Sequence, residues 1–436
     1  MLKPHIVILG AGFGGTYVAK KLAKYVRKGK IEVTIINRTN YFLFTPLLHE
    51  VATGSLTPTS VAEPLREIFK HSGIRIVQGT IESIDPEARS VTLSEHHHVI
   101  PITYDYLVVA TGAETNYYDI PGAEKHSFPL KSLLDAARIR TRVIDRFEEA
   151  IMNSDPIERA RLLSFVVVGG GATGVETAAE LAEFVNRMVK RYFAETKDCF
   201  PGDRHSCKPE EPVVSLIHPG EEVLQMFSPK LRVAAEARLR KNGVVLRHHS
   251  EVVEVNSHGL KLKSGEAVPS ATVIWTAGVK PIIPHFENNP PSLMCGRLMV
   301  DEFFRLGKYR NIFALGDVAA YVDRKALEAD PTKTKPLPLL AQVAISQVDT
   351  VVRNIVSTIR TKPLVTFHYS SKGSMVSVGQ WFAIADIYKA HISGKFIWWL
   401  WRMTYLVKFA SIKKRIRIAF EWALEIFYPR DITKLT

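Results

Sequence analysis

A chain of 436 residues with 46% apolar content can bury the cores of two or three ordinary domains, which excludes a disordered or fibrous protein. Three cysteines cannot make a disulfide framework, and Met1, Lys3 and Pro4 run straight into an apolar segment with no signal-peptide layout, so a cytoplasm-facing location is expected. The net charge of +13 calls for an acidic partner, and residues 389–436 hold ten Lys or Arg against three Asp or Glu, a concentration that suits a membrane surface and not nucleic acid.

Residues 6–9 form a short apolar run, 16–26 read as a helix and 32–36 as the next strand, which is one βαβ unit. His96, His97 and His98 lie between two strand-like runs and read as a solvated hairpin tip. Residues 106–110 form a strand closed by Thr111 and Gly112, and Pro121-Gly122 marks a turn near a domain boundary. A second strand-turn-helix follows over 165–184, and its uninterrupted apolar start is that of a strand buried on both faces. Residues 194–212, rich in charge, Pro and Gly, read as an inserted surface loop in which Cys199 and Cys207 are incidental thiols; no metal is expected. Strands at 213–217 and 271–275 come next, the latter followed by Thr276, Ala277 and Gly278, and 311–317 is a short strand ending in Gly316-Asp317. The expected class is α/β, with two Rossmann-like dinucleotide-binding domains in tandem.

Gly10, Gly12 and Gly15 stand as GxGxxG between a strand and a helix, and Gly169, Gly171 and Gly174 repeat the arrangement. In such a turn the first glycine permits the tight bend, the second admits a pyrophosphate, and the third lets helix and strand pack closely. The helix start then offers unpaired N–H groups to the phosphates. Two turns imply two dinucleotides, and a chain holding both is set up for hydride transfer from a nicotinamide to a flavin, here FAD. The acidic residue that usually closes the second strand and binds the adenosine ribose is absent from both sites, where Asn37 and His218 stand instead. Asn37 can still accept a hydrogen bond, while His218 leaves NADPH admissible beside NADH, the favoured nucleotide.

Seven segments together resemble the type II NADH:quinone oxidoreductases, the single-subunit NADH dehydrogenases that do not pump protons. They are residues 8–15, 40–48 (Asn-Tyr-Phe-Leu-Phe-Thr-Pro-Leu-Leu) with 51–54, 104–112, 169–181, 275–279, 314–317 and 341–344. The resemblance implies FAD on Gly10, Gly12, Phe13, Gly14, Gly15, Asn37, Arg38, Thr45, Pro46, Ala110, Thr111, Gly112, Gly316 and Asp317, with Asp317 on the ribityl chain. It implies NADH, with NADPH as an alternative, on Gly169, Gly171, Ala172, Thr173, Gly174, His218, Ala277 and Gly278. The family's quinone pattern is matched at Ala341, Gln342, Ala344 and Gln347, with Ser346 replacing one glutamine. Glu176 matches a glutamate associated with proton movement, its bland alternative being a helix-start carboxylate held by the macrodipole. Lys372 resembles a lysine near the flavin. The implied segments are 1–120 and 296–375 for FAD and the quinone helix, 121–295 for the nicotinamide nucleotide, and 376–436 for membrane association. A flavoprotein acting on sulfur would share this fold but needs paired redox cysteines, and Cys295 stands alone. A nucleotide-binding redox sensor without turnover is the other rival.

In the tail, Ile412, Ile416, Ala419, Phe420, Ala423, Leu424 and Phe427 fall on one helical stripe, and Lys413, Arg417, Glu421 and Glu425 on another. Four of the six tryptophans lie nearby at Trp398, Trp399, Trp401 and Trp422. No stretch is long enough to span a bilayer, so the expectation is an interfacial anchor on anionic lipid, peripheral on the cytoplasmic side of the cell inner membrane. Expected partners are a membrane quinone, that lipid surface and a second copy of the chain.

Overall fold

The computed structural model describes residues 3–95, 98–193, 211–288, 291–322, 335–388, 390–409, 411–428 and 430–434. The chain divides into two compact units: Met1–Leu43, Glu63–Glu114 and Val279–Ser370 form the first, and Phe44–Ala62, Thr115–Gly278 and Ser371–Thr436 the second. The segment 44–62, placed by sequence in the first domain, clusters with the second unit, because its helix Leu48–Ala52 packs on helices Leu133–Met152 and Ala172–Met188. Only packing between helices distant in sequence reveals such a crossing.

The first unit is built on a six-stranded sheet in the order Arg305–Leu306, Tyr309–Ala314, Tyr106–Val109, His5–Leu9, Glu32–Asn37, Arg75–Gln78. All but the first pairing are parallel, with Ile6 opposite Val33 on one side and Tyr106 on the other. Ile6, Val7, Ile8 and Leu9 are fully buried, as a central parallel strand covered on both faces requires. Helix Phe13–Arg27 follows the first strand and packs on helix Ala341–Ile359.

The second unit repeats the plan. Its parallel sheet runs Phe128–Pro129, Thr272–Trp275, Ser164–Val168, Val213–Ile217, Val244–Arg247. Helix Ala172–Met188 covers the sheet, and Trp275, Val166, Val168 and Ile217 join Val252, Leu260 and Leu262 of a small antiparallel sheet in one apolar core. The chain closes with a three-stranded meander, Ser374–Ser377, Ala383–Ile387 and Ala390–Gly394, and two helices, Lys395–Lys408 and Ile412–Phe427. Among the described residues, no helix is long and apolar enough to cross a membrane. His98 begins an exposed strand of a hairpin in the first unit. His96, His97 and the loop 194–210 with Cys199 and Cys207 lie outside the described residues, and Cys295 is an exposed free thiol.

Candidate active site

In the first glycine turn, Gly10 has φ +95°, a conformation L side chains rarely adopt, and its N–H donates to the Ile36 carbonyl at 2.8 Å. A Cβ on Gly15 would overlap the Gly10 carbonyl oxygen, so helix and strand approach as closely as backbone permits. Gly12 is different: a Cβ there would meet nothing within 4 Å. It is also the N-cap of helix Phe13–Arg27, which has no side-chain cap and no acidic residue in its first turn. Open space in front of uncapped N–H groups fits a pyrophosphate. Asn37 ends the next strand, and its Oδ1 accepts from the Ala11 N–H at 2.9 Å while its amide donates to the Thr39 carbonyl. Asn37 therefore buttresses the turn. Phe13 packs edge-on against Phe42, and Arg38 is exposed.

Around the same sheet end, Ala110 accepts close approach from Gly10, and Thr111 Oγ1 donates to the Ile282 carbonyl at 2.6 Å. Gly316 and Asp317 open a 3-10 turn. Gln347, fully buried, accepts from the Gly316 N–H at 2.7 Å, and Arg297 donates to the carbonyls of Leu337, Gly316 and Ala319. Burial pulls the Arg297 guanidinium pKa down and neighbouring Asp317 pulls it back up. Arg297 was missed by sequence, since a lone Arg in a short strand carries no pattern. Gln342 stands in the first turn of helix Ala341–Ile359 and donates to the Tyr369 hydroxyl at 3.2 Å; Ser346 bonds back to the Val343 carbonyl.

The second turn has the same skeleton. Gly169 has φ +123° and a Cβ there would strike residues 276–277, so the turn lies against Ala277; a Cβ on Gly174 would overlap the Gly169 carbonyl oxygen. Gly171 faces open space, and helix Ala172–Met188 starts uncapped with no acid in its first turn, where Thr173 leaves its carbonyl to Thr177. Gly278 lies beside Tyr118, whose hydroxyl donates to the Ala277 carbonyl at 3.3 Å. His218 is 4% exposed and its ring fills the space a side chain at Gly170 would need. Its Nδ1 accepts from the Gly220 N–H at 3.2 Å, so its Nε2–H donates to His248 Nδ1 at 2.9 Å. Both ring nitrogens are thereby engaged within the fold. Burial, then the neighbouring His248, lower the His218 pKa to about 4, so the imidazole is neutral.

Glu176 lies beyond the first turn of its helix, so the macrodipole does not explain it. It is buried, accepts from the Ser377 N–H at 3.3 Å, and has a pKa raised well above the carboxylate range by burial; it is a neutral acid. His49 Nδ1 stands 3.8 Å away, too far for a hydrogen bond, and burial lowers its pKa to about 3; its Nε2 is buried with no partner. Glu50 accepts from Trp422 Nε1 at 2.6 Å, and burial raises its pKa to about 8. Beneath these neutral groups lies a charged quartet. Arg430 pairs with Glu180 and with Glu425 at 2.7 Å, and Arg402 reaches Glu425 at 3.4 Å while stacked between Trp398 and Trp422. Burial alone would raise the Glu425 pKa, but the two arginines hold it down to about 2. Arg187 also approaches Glu425, at 3.9 Å. Sequence reading missed His49, Glu50, Glu180, Arg402 and Arg430; the spacing Glu176, Glu180, Glu183 along one buried helix face was the available signal.

Lys372 is exposed, and its charge lowers the pKa of Lys408, which burial lowers first. Thr45 and Pro46 begin a 3-10 turn in the second unit, beside Phe44, whose ring packs on Phe409 at 4.4 Å. In helix Ile412–Phe427, Glu425 points inward with Ile418 and Trp422, while Ile412, Ile416, Phe420 and Phe427 are 62–79% exposed. The stripe picked out by its apolar spacing is thus the outward face. The exposed run continues on helix Lys395–Lys408 at Phe396, Met403 and Val407.

Two uncapped glycine turns, each closing a parallel sheet, define an α/β oxidoreductase built for two dinucleotides. The family Pyridine nucleotide-disulphide oxidoreductase matches residues 4–347, and the NDH2 C-terminal domain matches residues 371–431. The chain is 31% identical to the Probable NADH dehydrogenase of Dictyostelium discoideum, covering 98% of this chain and 90% of that one. It is 30% identical to Type II NADH:quinone oxidoreductase Ndh of Mycobacterium tuberculosis, covering 98% and 89%. The structure of NDH2 from Plasmodium falciparum in complex with NADH superposes with a TM-score of 0.87 at 23% identity, covering 99% of this chain and 100% of that one. The chain belongs to the type II NADH:quinone oxidoreductases.

Proposed function

We propose that the protein oxidises NADH and reduces a membrane quinone through FAD, without pumping protons, from the cytoplasmic face of the cell inner membrane. The observation that carries this reading is the pair of open, uncapped glycine turns. FAD, when bound, supplies the hydride acceptor and the two-electron donor that the reaction needs. Gly12 with the N–H groups of helix Phe13–Arg27 holds its pyrophosphate, and Asp317, braced through the Gln347 and Arg297 contacts to its turn, holds the ribityl chain. Gly171 and helix Ala172–Met188 hold the nicotinamide nucleotide. Glu176 keeps a proton at its carboxyl in a dry setting, which suits a general acid in quinone reduction. Gln342 offers an amide to a quinone oxygen, and Lys372, which resembles the family's lysine near the flavin, is the cation that would favour the reduced anionic ring.

His218 stands where the strand-end carboxylate usually does, which leaves NADPH admissible beside NADH. The outward apolar stripe with its Lys and Arg neighbours lies in the lipid headgroup layer, as an amphipathic interfacial helix does. Anaerobic mixing with NADH should bleach a yellow flavin, and added quinone should restore the colour. A colourless protein that FAD cannot reconstitute defeats this reading, and bleaching without restoration favours a redox sensor.

A further inference from the structure

A cleft of about 470 Å³ opens in the first unit between helix Phe13–Arg27 and the later half of helix Ala341–Ile359, and seven of its lining residues are Lys or Arg against one Asp. That Asp349 is engaged by Lys21. Lys24, Arg27, Arg353, Arg360 and Lys362 have no carboxylate within 4.0 Å among the described residues. Lys24 and Arg360 flank the ring of Tyr25, at 5.0 and 5.7 Å from its centre.

Helix ends do not account for this convergence. Lys24 and Arg27 sit in the last turn of their helix and Arg360 caps the second, where the macrodipole favours cations, but Arg353 lies well inside that helix and Lys362 lies beyond its end. Each helix end offers only about half a negative charge against an excess of six positive ones. Folding has therefore gathered five like charges, Lys24, Arg27, Arg353, Arg360 and Lys362, whose mutual repulsion no carboxylate among the described residues relieves, and a polyanion would relieve it. Arginine forks match phosphate oxygens in pairs, which a single carboxylate could not use fully. The volume falls within the roughly 300–1,000 Å³ typical of small-molecule sites. Lys24 lies twelve residues beyond Gly12, roughly 18 Å along the helix, so this is not the phosphate cradle of the glycine turn.

We propose that this cleft is a binding site for an anion carrying two or more phosphate groups. The site is independent of the redox reading, and its test needs no turnover. FAD-loaded full-length protein, with NAD⁺ saturating, is titrated calorimetrically with inorganic triphosphate. One saturable, salt-weakened event is expected. Replacing Lys24, Arg353 and Arg360 together by Ala should weaken it about 100-fold or more, from about tenfold for each charged partner removed. Removing Lys125, Lys230 and Lys241 takes the same charge from the second unit and should change it less than about threefold; comparable losses in both triple variants overturn the proposal. The Arg353→Gln/Arg360→Gln pair, melting like wild type, serves if the first variant is unstable. In a second arm, vesicles with a two-phosphate lipid headgroup are compared with phosphatidylserine vesicles of equal charge. A cleft-dependent preference for the former assigns the phosphates to lipid, and triphosphate binding without it assigns them to a soluble ligand. No saturable triphosphate binding and no vesicle preference would refute the site.

Discussion

The two glycine turns share one backbone and differ in what the following helix carries. Both have a first glycine at positive φ, an open second glycine and a third that only lack of a side chain permits. Helix Phe13–Arg27 brings no acid to its unit and serves as a scaffold. Helix Ala172–Met188 buries Glu176 and Glu180 and ties them to the C-terminal segment, Glu176 through the Ser377 N–H and Glu180 through Arg430. A dinucleotide turn is thus a reusable holder, and the two repeats differ in the buried acids that the second helix adds behind it.

Gly15→Ala and Gly174→Ala test whether the holders act separately, and carry the largest expected effects. Each added methyl would overlap a carbonyl oxygen of its own turn, so relaxation must open the turn at a cost above about 3 kcal/mol. Gly15→Ala should be isolated without FAD. Gly174→Ala should keep FAD, measured by absorbance, and lose NADH reduction at least about 100-fold. Loss of FAD in both would mean that the turns are not independent.

Arg430→Ala probes the tie behind the second turn. It leaves Glu180 and Glu425 buried without their shared partner and should cost about 3–5 kcal/mol, read from denaturant unfolding. For the same reason, removing the chain beyond Gly394 would unfold the second unit and could not report on membrane binding.

Glu50→Gln sharpens the contrast through pH. Burial raises the native Glu50 pKa from 4.5 to about 8, so its contribution is intact below pH 4.5 and lost as pH climbs through 8. The Gln variant keeps an acceptor for Trp422 and does not titrate. Its melting temperature should match wild type near pH 5 and exceed it by several degrees at pH 9. An equal difference at both values would place the proton elsewhere.

The central strands and both turns were legible because parallel strands are continuous apolar runs and the glycines are sterically required, whereas the order of the strands in each sheet was not. The inward face of the last helix was not legible either. Apolar spacing at Ile412, Ile416 and Phe420 pointed to an outward stripe, which is exposed, but Glu425 read as part of a polar face with Lys413 and Arg417 and is instead buried. That was decided by Arg402 and Arg430 drawing Glu425 inward, a long-range pairing without a sequence period. His218 was legible as an oddity but not as a buried group, because His248 lies thirty residues away.

Ile416→Glu with Phe420→Glu tests the outward face while sparing the inward quartet. Both residues are more than 60% exposed, so folding should be unaffected, and binding to anionic vesicles should fall about 100-fold. Unchanged vesicle binding together with a change from dimer to monomer would assign the stripe to a second copy.

His218→Glu carries the smallest effect and addresses the difference at the adenosine ends of the two turns. Asn37 and His218 occupy the same place in their repeats, yet Asn37 supports its own turn whereas His218 is held against Gly170 and passes a hydrogen bond to His248. A neutral imidazole with both nitrogens engaged neither grips a ribose hydroxyl nor repels a 2′-phosphate. A glutamate there would accept from His248 and present negative charge to the phosphate. The ratio of kcat/KM for NADH over NADPH should rise about tenfold, mainly through KM for NADPH, since one added like charge is expected to cost the phosphate about 1.4 kcal/mol. An unchanged ratio would mean that the adenosine 2′ position does not face residue 218.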